Sequence, residues 1–317
     1  MCDGGKLTSA GKNTIIGEIW MNSTDLRRFR EIFEKQMNQD GFVWKHHMFI
    51  HICFEQGWYA TVHPWVVSYG DEFKTVCAVG LLVNLTAEEL KLYHHAQEPS
   101  IGRYFDVFTN LPKELQFDVH RSSTEPPEHY ETLPVSNVFF QYTLKRYAES
   151  VRPIFHEITN IHDVFLFERQ YEVIPWPSLY DIMMLDALMS AGYIIDALSY
   201  IPILRTKTNE KIDMYIKYKK EAIQKLEELK QYENTMNEKL RQVQIHGQQI
   251  VLKGCIESIK NSQIYLQQLN KLEQMISAGT YQERINTYQE RVSIAVANHM
   301  KCFSKKEKSI MIENWHN

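Results

Sequence analysis

Apolar residues recur at three- and four-residue steps from Leu26 through Phe29, Ile32 and Phe33 to Met37, behind an Asn-Ser-Thr start. This spacing predicts an amphipathic helix over Asn22–Met37 with one face turned inward. The period then changes. Phe42–Phe54 and Trp58–Ser68 flank Glu55-Gln56-Gly57, the pattern of a β-hairpin closed by a three-residue glycine loop. A third strand, Thr75–Val83, follows the Tyr69-Gly70-Asp71 turn, and Thr86 with Glu89 starts a short helix through Leu90, Leu92 and Tyr93.

Ser, Thr, Pro and Glu dominate Arg121–Ser136, with Pro126-Pro127 and Pro134, which marks a linker. Beyond it Phe140, Leu144, Tyr147 and Val151 trace a helix that Pro153 limits, and another is expected over His156–Glu168. Ser178 and Asp181 open a nearly all-apolar helix, Asp181–Tyr200, which belongs in a core and stops near Pro202.

From Thr208 onward Lys, Glu and Gln prevail and no proline occurs. Ala222, Leu226, Leu229, Tyr232, Met236, Leu240 and Val243 form a coiled-coil row there, the expected seam for another subunit or a partner helix. A second run, Cys255, Ile259, Leu266, Leu269, Leu272 and Ile276, follows an interruption near Gly247 and Gly254. Unbroken from Thr208 to Ser277, such a helix would extend about 105 Å. Gly279 reads as its stop, and Thr280 with Glu283 as a capped new start. Thr280–Asn286 and Thr287–Ser293 then form a seven-residue repeat whose row of Tyr281, Ile285, Tyr288, Val292 and Ala295 is expected to fold back along the long helix.

The pattern defines an α+β fold: a small antiparallel sheet with packed helices in the N-terminal half, followed by an all-α region with a long coiled-coil-like helix and a returning C-terminal helix. The expected divisions are a flexible terminus at 1–20, a head at 21–120, the linker at 121–136, a helical region at 137–204 and a helical hairpin at 205–317.

Composition sharpens this only a little. Apolar residues are 44% and charged residues 23% of 317, as in ordinary folded chains, and the net charge of −4 gives no global attraction to nucleic acid or anionic lipid. Cys2, Cys53, Cys77, Cys255 and Cys302 are odd in number, scattered and without a C-x-x-C pair, which suits reduced thiols in an intracellular, cytoplasmic protein. No apolar run reaches the roughly 20 residues of a membrane span.

For chemistry, alternation along the first strand puts Lys45, His47, Phe49, His51 and Cys53 on one face. The three-residue loop sets Cys53 opposite Tyr59, His51 opposite Thr61 and Phe49 opposite His63, so His47, His51, His63 and Cys53 gather on one surface, where a metal or an acid/base pair could sit. The simpler reading of that surface is the polar side of a half-buried sheet, and no cofactor is called for. Asp181 fits a helix cap, with Asp186 and Asp196 on the wet side of their helix. Trp44, Lys45, His46 and Trp58, with lysines at 217, 219, 220, 225 and 230 and at 305, 306 and 308, are the pieces a nucleic-acid surface would need, but they are dispersed among glutamates. The leading expectation is a non-enzymatic interaction or assembly protein that meets itself or a helical partner through its C-terminal helices. An enzyme or metal protein using the histidine face and a nucleic-acid-binding or membrane-associated scaffold are the alternatives.

Overall fold

The computed structural model describes residues 23–45, 47–66, 72–84, 101–105, 119–120, 137–170, 177–231 and 238–315. The helix expected from Thr86, the 121–136 linker, the Tyr69-Gly70-Asp71 turn and the first 20 residues lie outside these.

The fold is α+β, with the sheet in the N-terminal half and, among the described residues, only helices from residue 137 onward. Helix α1 (Ser23–Gln39) leads into β1 (Val43–Lys45), β2 (Met48–Cys53), β3 (Trp58–Val66), β4 (Glu72–Leu81), β5 (Ile101–Phe105) and β6 (Val119–His120). The first five lie side by side in chain order, all antiparallel, and β6 pairs with β4. Residues 42–54 are therefore two strands and not one, because the chain turns between Lys45 and Met48, with His47 in the left-handed region at φ 66°. Trp44 thereby pairs with Phe49, and their rings meet edge to face at 4.8 Å.

Both sheet faces are covered. Phe49, Trp58, Ala60, Val62, Cys77, Val79 and Leu81 join the main core with Phe29 and Phe33 of α1, whose rings stack at 4.2 Å. On the other face Ile52, Tyr59 and Leu82 meet Ala295, Phe303 and Met311 from the C-terminal helices.

The helices divide more finely than the pattern predicts. Helix α2 (Asn137–Arg146) runs into a π turn, Tyr147–Val151, and on into α3 (Arg152–His156). Pro153 sits in the first turn of α3, where its missing N–H costs little, so the proline does not end the helix. The expected helix His156–Glu168 instead breaks after His156 and restarts as α4 (Ile161–Gln170), because Asp163 accepts from the N–H groups of Thr159 and Asn160, and Asn160 from those of His162 and Asp163.

The apolar stretch Asp181–Tyr200 is likewise two helices, α5 (Leu179–Ser190) and α6 (Ile194–Gln231). They are separated at Gly192, whose φ of 89° suits a residue without a Cβ. Ser178 and Asp181 do form the expected capping box, with the Ser178 N–H donating to Asp181 Oδ2 at 2.7 Å. Pro202 lies inside α6 with its ring exposed, so it does not stop that helix.

The largest departure is in the tail. Helix α6 ends at Gln231, α7 (Glu238–Ser277) is a separate helix, and the two lie against each other. Arg205 near the start of α6 bonds Asn270 and Glu273 near the end of α7, so they run antiparallel as a hairpin. Each is about 57–60 Å long at 1.5 Å per residue, and no 105 Å rod forms.

Gly279, at φ 67°, ends α7 as expected. Thr280 closes the helix behind it, its N–H and hydroxyl both donating to Met275 O, while α8 (Gln282–Cys302) starts from Tyr281 without a side-chain cap. Helix α8 packs on α5 and the head and not along α7. A capping box at Ser304 and Glu307 starts α9 (Lys305–Asn314).

Buried side chains form one continuous cluster from α1 and the sheet through α2–α5 to the first turns of α6, the end of α7 and α8. The outer ends of α6 and α7 project from it as an arm. Among the described residues no helix is long and apolar enough to cross a membrane.

Candidate functional site

The histidine surface comes apart at the register. The β2–β3 turn takes four residues, Phe54 to Gly57, so Cys53 pairs with Trp58, His51 with Ala60 and Phe49 with Val62. Every pairing expected from a three-residue loop is thus off by one. Gly57 suits the last position of this turn: its φ is 69°, and a Cβ there would lie 2.3 Å from Val292 Cγ1 of α8.

His51 consequently points into the core. It is buried, its Nδ1–H donates to Gly41 O at 3.0 Å, and its ring stacks on Trp315 at 3.7 Å. His63 pairs with Val76, one residue out of step with the file that holds Ala60 and Val62. His47 is exposed on the β1–β2 turn. Cys53 is half-buried on the His51 file, and burial pushes its thiol pKa up, away from the reactive thiolate. Among the described residues no three His, Cys, Asp or Glu side chains gather as metal ligands would.

Other buried polar groups tie elements together. Asp40 accepts from Arg152 Nε at 2.8 Å, Gln36 at 3.0 Å and Tyr147 Oη at 3.3 Å, joining the end of α1 to the π turn and α3. Asp186, which the pattern puts on the wet side of its helix, is buried and takes a two-pronged bond from Arg284 at 2.5 and 2.9 Å. Asp196 is partly exposed beside His162.

The returning helix is fixed the same way: Gln289 donates to Ser190 and Arg291 to Asn84 O. Its row of Ile285, Tyr288 and Ala295 is buried within the chain, with Tyr281 and Val292 partly buried. A half-open cleft of about 460 Å³ lies between this helix, α5 and the β2–β3 turn. Its lining amides are already used, Gln289 on Ser190 and Gln56 Oε1 on the Ile161 N–H, so it is a packing seam.

The arm is different. Ala222 and Leu229 are 2% and 9% exposed, and Leu226 is half-buried. They face α7, so the first part of the expected partner seam is closed within the chain. Tyr232 and Met236 lie outside the described residues. On α7 the covered row is Arg241, Ile245, Gln248, Leu252, Cys255, Ile259 and Ser262, in strict four- and three-residue steps.

Leu240 and Val243 lie on another face of α7. They are 52% and 69% exposed, and they continue through Ile250 and Val251 at 59% and 46%. With Gly247 and Gly254 these residues fall within an arc of roughly 100°, about 120° around the helix from the covered row. A Cβ at Gly247 or Gly254 would meet no atom within 4 Å.

Helix α7 therefore carries two coiled-coil rows, one closed by α6 and one turned outward. The sequence pattern identifies Leu240 and Val243 but assigns them to the α6 row, and it reads Gly247 and Gly254 as an interruption. What would have separated the rows is the step from Leu240 through Val243, Gly247 and Ile250 to Gly254, which is three, four, three, four.

Comparison with known protein families, curated proteins and solved structures finds no match to this chain.

Proposed function

We propose that this chain is a non-enzymatic interaction protein whose helical arm engages another helix, either of a second copy or of a different protein. The observation that carries this is the outward row of α7. Apolar side chains at heptad spacing are exposed along an arm whose inner row is already satisfied by α6. Scattered surface leucines and valines are ordinary on any protein, but a periodic row on a projecting hairpin is the form in which helices recognise helices.

The head serves as an anchor for the arm in this reading, since His51, Asp40 and Asp186 are spent on packing and ion pairs. The thiols suit an intracellular site of action: Cys53, Cys77, Cys255 and Cys302 form no disulfide.

The test is site-specific crosslinking in the source cell. A photoreactive phenylalanine analogue at Val243 is expected to give a discrete crosslinked species, and the same group at Glu227, exposed on α6, none. The mass of the product separates self-association from a second protein. A diffuse or absent product at Val243, with the protein folded and abundant, would sink the reading.

A further inference from the structure

The order of large and small residues along the outward row says what fits it. Leu240, Gly247 and Gly254 hold one core position of the heptad, and Val243, Ile250 and Glu257 hold the other. Asn261 and Ile264 continue the row toward the head and are exposed, so the chain's own fold leaves the stripe open along its length.

Reversing one of two paired helices sets one core position against the other across the seam. Turned end for end about the midpoint between Gln248 and Gln249, the row meets itself in three kinds of layer: Leu240 with Glu257, Val243 with Gly254, and Gly247 with Ile250. Each glycine then receives a β-branched side chain, in a space where a Cβ of its own would meet no atom within 4 Å. Each kind of layer occurs twice, as a two-fold interface requires.

Other arrangements match less well. Paired in parallel, the row would set glycine against glycine twice and Glu257 against Glu257, which leaves gaps and puts like charges in the seam. Slid one heptad toward the head in the antiparallel sense, it would set Glu257 against Gly247 and Asn261 against Val243. Slid the other way, Gly254 and Glu257 run past Glu238, where α7 of the other copy begins.

Charge agrees with the same register. Lys239, His246, Lys253 and Lys260 edge the row, and turning it end for end brings Lys260 beside Lys239 of the other copy. Glu257, three residues from Lys260 on its own helix, falls in the layer next to that Lys239, so a carboxylate stands between the lysines at each end of the seam. Area sets the strength. Leu240, Val243, Ile250 and Val251 are 46–69% exposed, and two copies of so short a stripe bury less than about 1,200 Å² in total, the size of weak, reversible contacts.

We infer that the outward face of α7 docks on the same face of a second copy, antiparallel, with Val243 against Gly254 and Gly247 against Ile250. This rests on the arm being an interaction surface and names its occupant.

Association is expected at roughly 10–100 μM. Light scattering of the full-length chain should show a mass that climbs from one copy toward two through this range. Val243→Asp should hold it at one copy while the circular dichroism melt stays in place, which separates loss of the surface from loss of the fold. Gly254→Leu fills the space that Val243 enters and should weaken association about tenfold. Glu257→Lys should weaken it as well, more at low salt than at high.

Direction is read from disulfides, in a chain carrying Cys2→Ser and Cys302→Ser. Positions 243 and 254 lie about 16 Å apart on one helix, too far to bridge within a chain, so Val243→Cys with Gly254→Cys can be joined only between copies. That pair is expected to give a covalent dimer under air oxidation, and Val243→Cys alone none.

A mass that stays at one copy through the same range, with no disulfide from the pair, would overturn the inference. So would a covalent dimer from Val243→Cys alone, which marks parallel contact, or a Gly254→Leu variant that associates as well as the parent. Flotation with anionic vesicles that depends on Val243, without the disulfide, would overturn it in favour of a lipid surface. A discrete crosslink from Val243 to a protein of another mass would discard the second copy and leave the arm as an interaction surface.

Discussion

The head and the arm are built on opposite terms. In the head, Phe29, Phe33, Phe42, Phe49, Trp58, Phe140 and Phe155 are essentially without solvent contact, and both sheet faces are covered. The chain's last helix closes it: Trp315 stacks on His51, donates its indole N–H to Ile158 O at 3.1 Å and lies against Gly41, where a Cβ would come 2.9 Å from Trp315 N. Toward the arm's outer end the buried side chains are small or few, Ala222, Leu229 and Cys255, while Leu240, Val243, Ile250 and Val251 are left outside. A region that leaves Leu240, Val243, Ile250 and Val251 exposed in a row while its inner row is already covered has more apolar surface than its own folding uses. The head's buried residues are explained by its own stability, and the arm's outward row is what the proposed interaction would use.

The comparison is broken most directly by truncating one core residue in each region. Phe49→Ala should cost about 3–5 kcal/mol and lower the denaturant midpoint of the whole chain. Leu229→Ala should cost about 2 kcal/mol, since an arm tip can partly collapse around the gap. Hydrogen exchange should show the Leu229 variant loosening only α6 and α7 beyond the head, by local opening. If it instead weakens protection in α1 and the sheet equally, the arm is part of the core and the contrast fails.

Next in size is the closure by the C-terminus. Trp315→Ala removes a half-buried indole and leaves Ile158 O without its donor, for an expected loss of about 2–3 kcal/mol. The check is thermal melting followed by tryptophan fluorescence. An unchanged melt would mean that the head is complete without its last residues.

How much of this was legible beforehand depended on whether a local signal settled the matter. Helix α1, the capping box at Ser178 and the stop at Gly279 follow from spacing and cap chemistry and stand where the pattern puts them, while the row of Ile285 and Tyr288 is inward as expected but covered by α5 and the head and not by the long helix. The His51–His63 surface failed because a single residue of turn length changes every cross-strand pairing, and the turn takes Phe54 as well as the three residues the pattern assigned to it. Asp186 was misplaced for a related reason. Its partner Arg284 is distant in sequence, and an unpaired aspartate reads as solvent-facing until the pairing is known. The α6–α7 hairpin was hidden because a strong heptad ran on through residues 232–237, and periodicity reports which side of a helix is apolar but not what covers it.

That Asp186 pair supplies a finer probe of the head. Asp186→Asn removes the charge that Arg284 answers and should cost about 1–3 kcal/mol, at the lower end because Arg284 is partly exposed and can turn to water. The double variant with Arg284→Met should recover most of the loss, since replacing both members of a buried pair is often close to neutral. A double-mutant cycle in urea measures it. Additive losses would mean that the two side chains are not coupled.

The smallest effect runs the other way. Glycine inside a helix costs about 0.8–1 kcal/mol relative to alanine, mainly through the backbone freedom it retains when unfolded. At Gly247 neither a positive φ nor a close neighbour within the chain justifies that cost. Gly247→Ala should therefore stabilise the isolated chain, by about 0.5–1 kcal/mol. Gly41→Ala in the head should do the reverse, because φ there is 79° and Trp315 occupies the space. The informative reading is then made on the crosslink at Val243. If Gly247 is kept for close approach of a partner, the alanine variant should melt higher alone yet give a several-fold weaker crosslink. A variant that melts higher and crosslinks equally well would show that the glycine has no part in the seam, and would narrow the docking surface to Leu240, Val243, Ile250 and Val251.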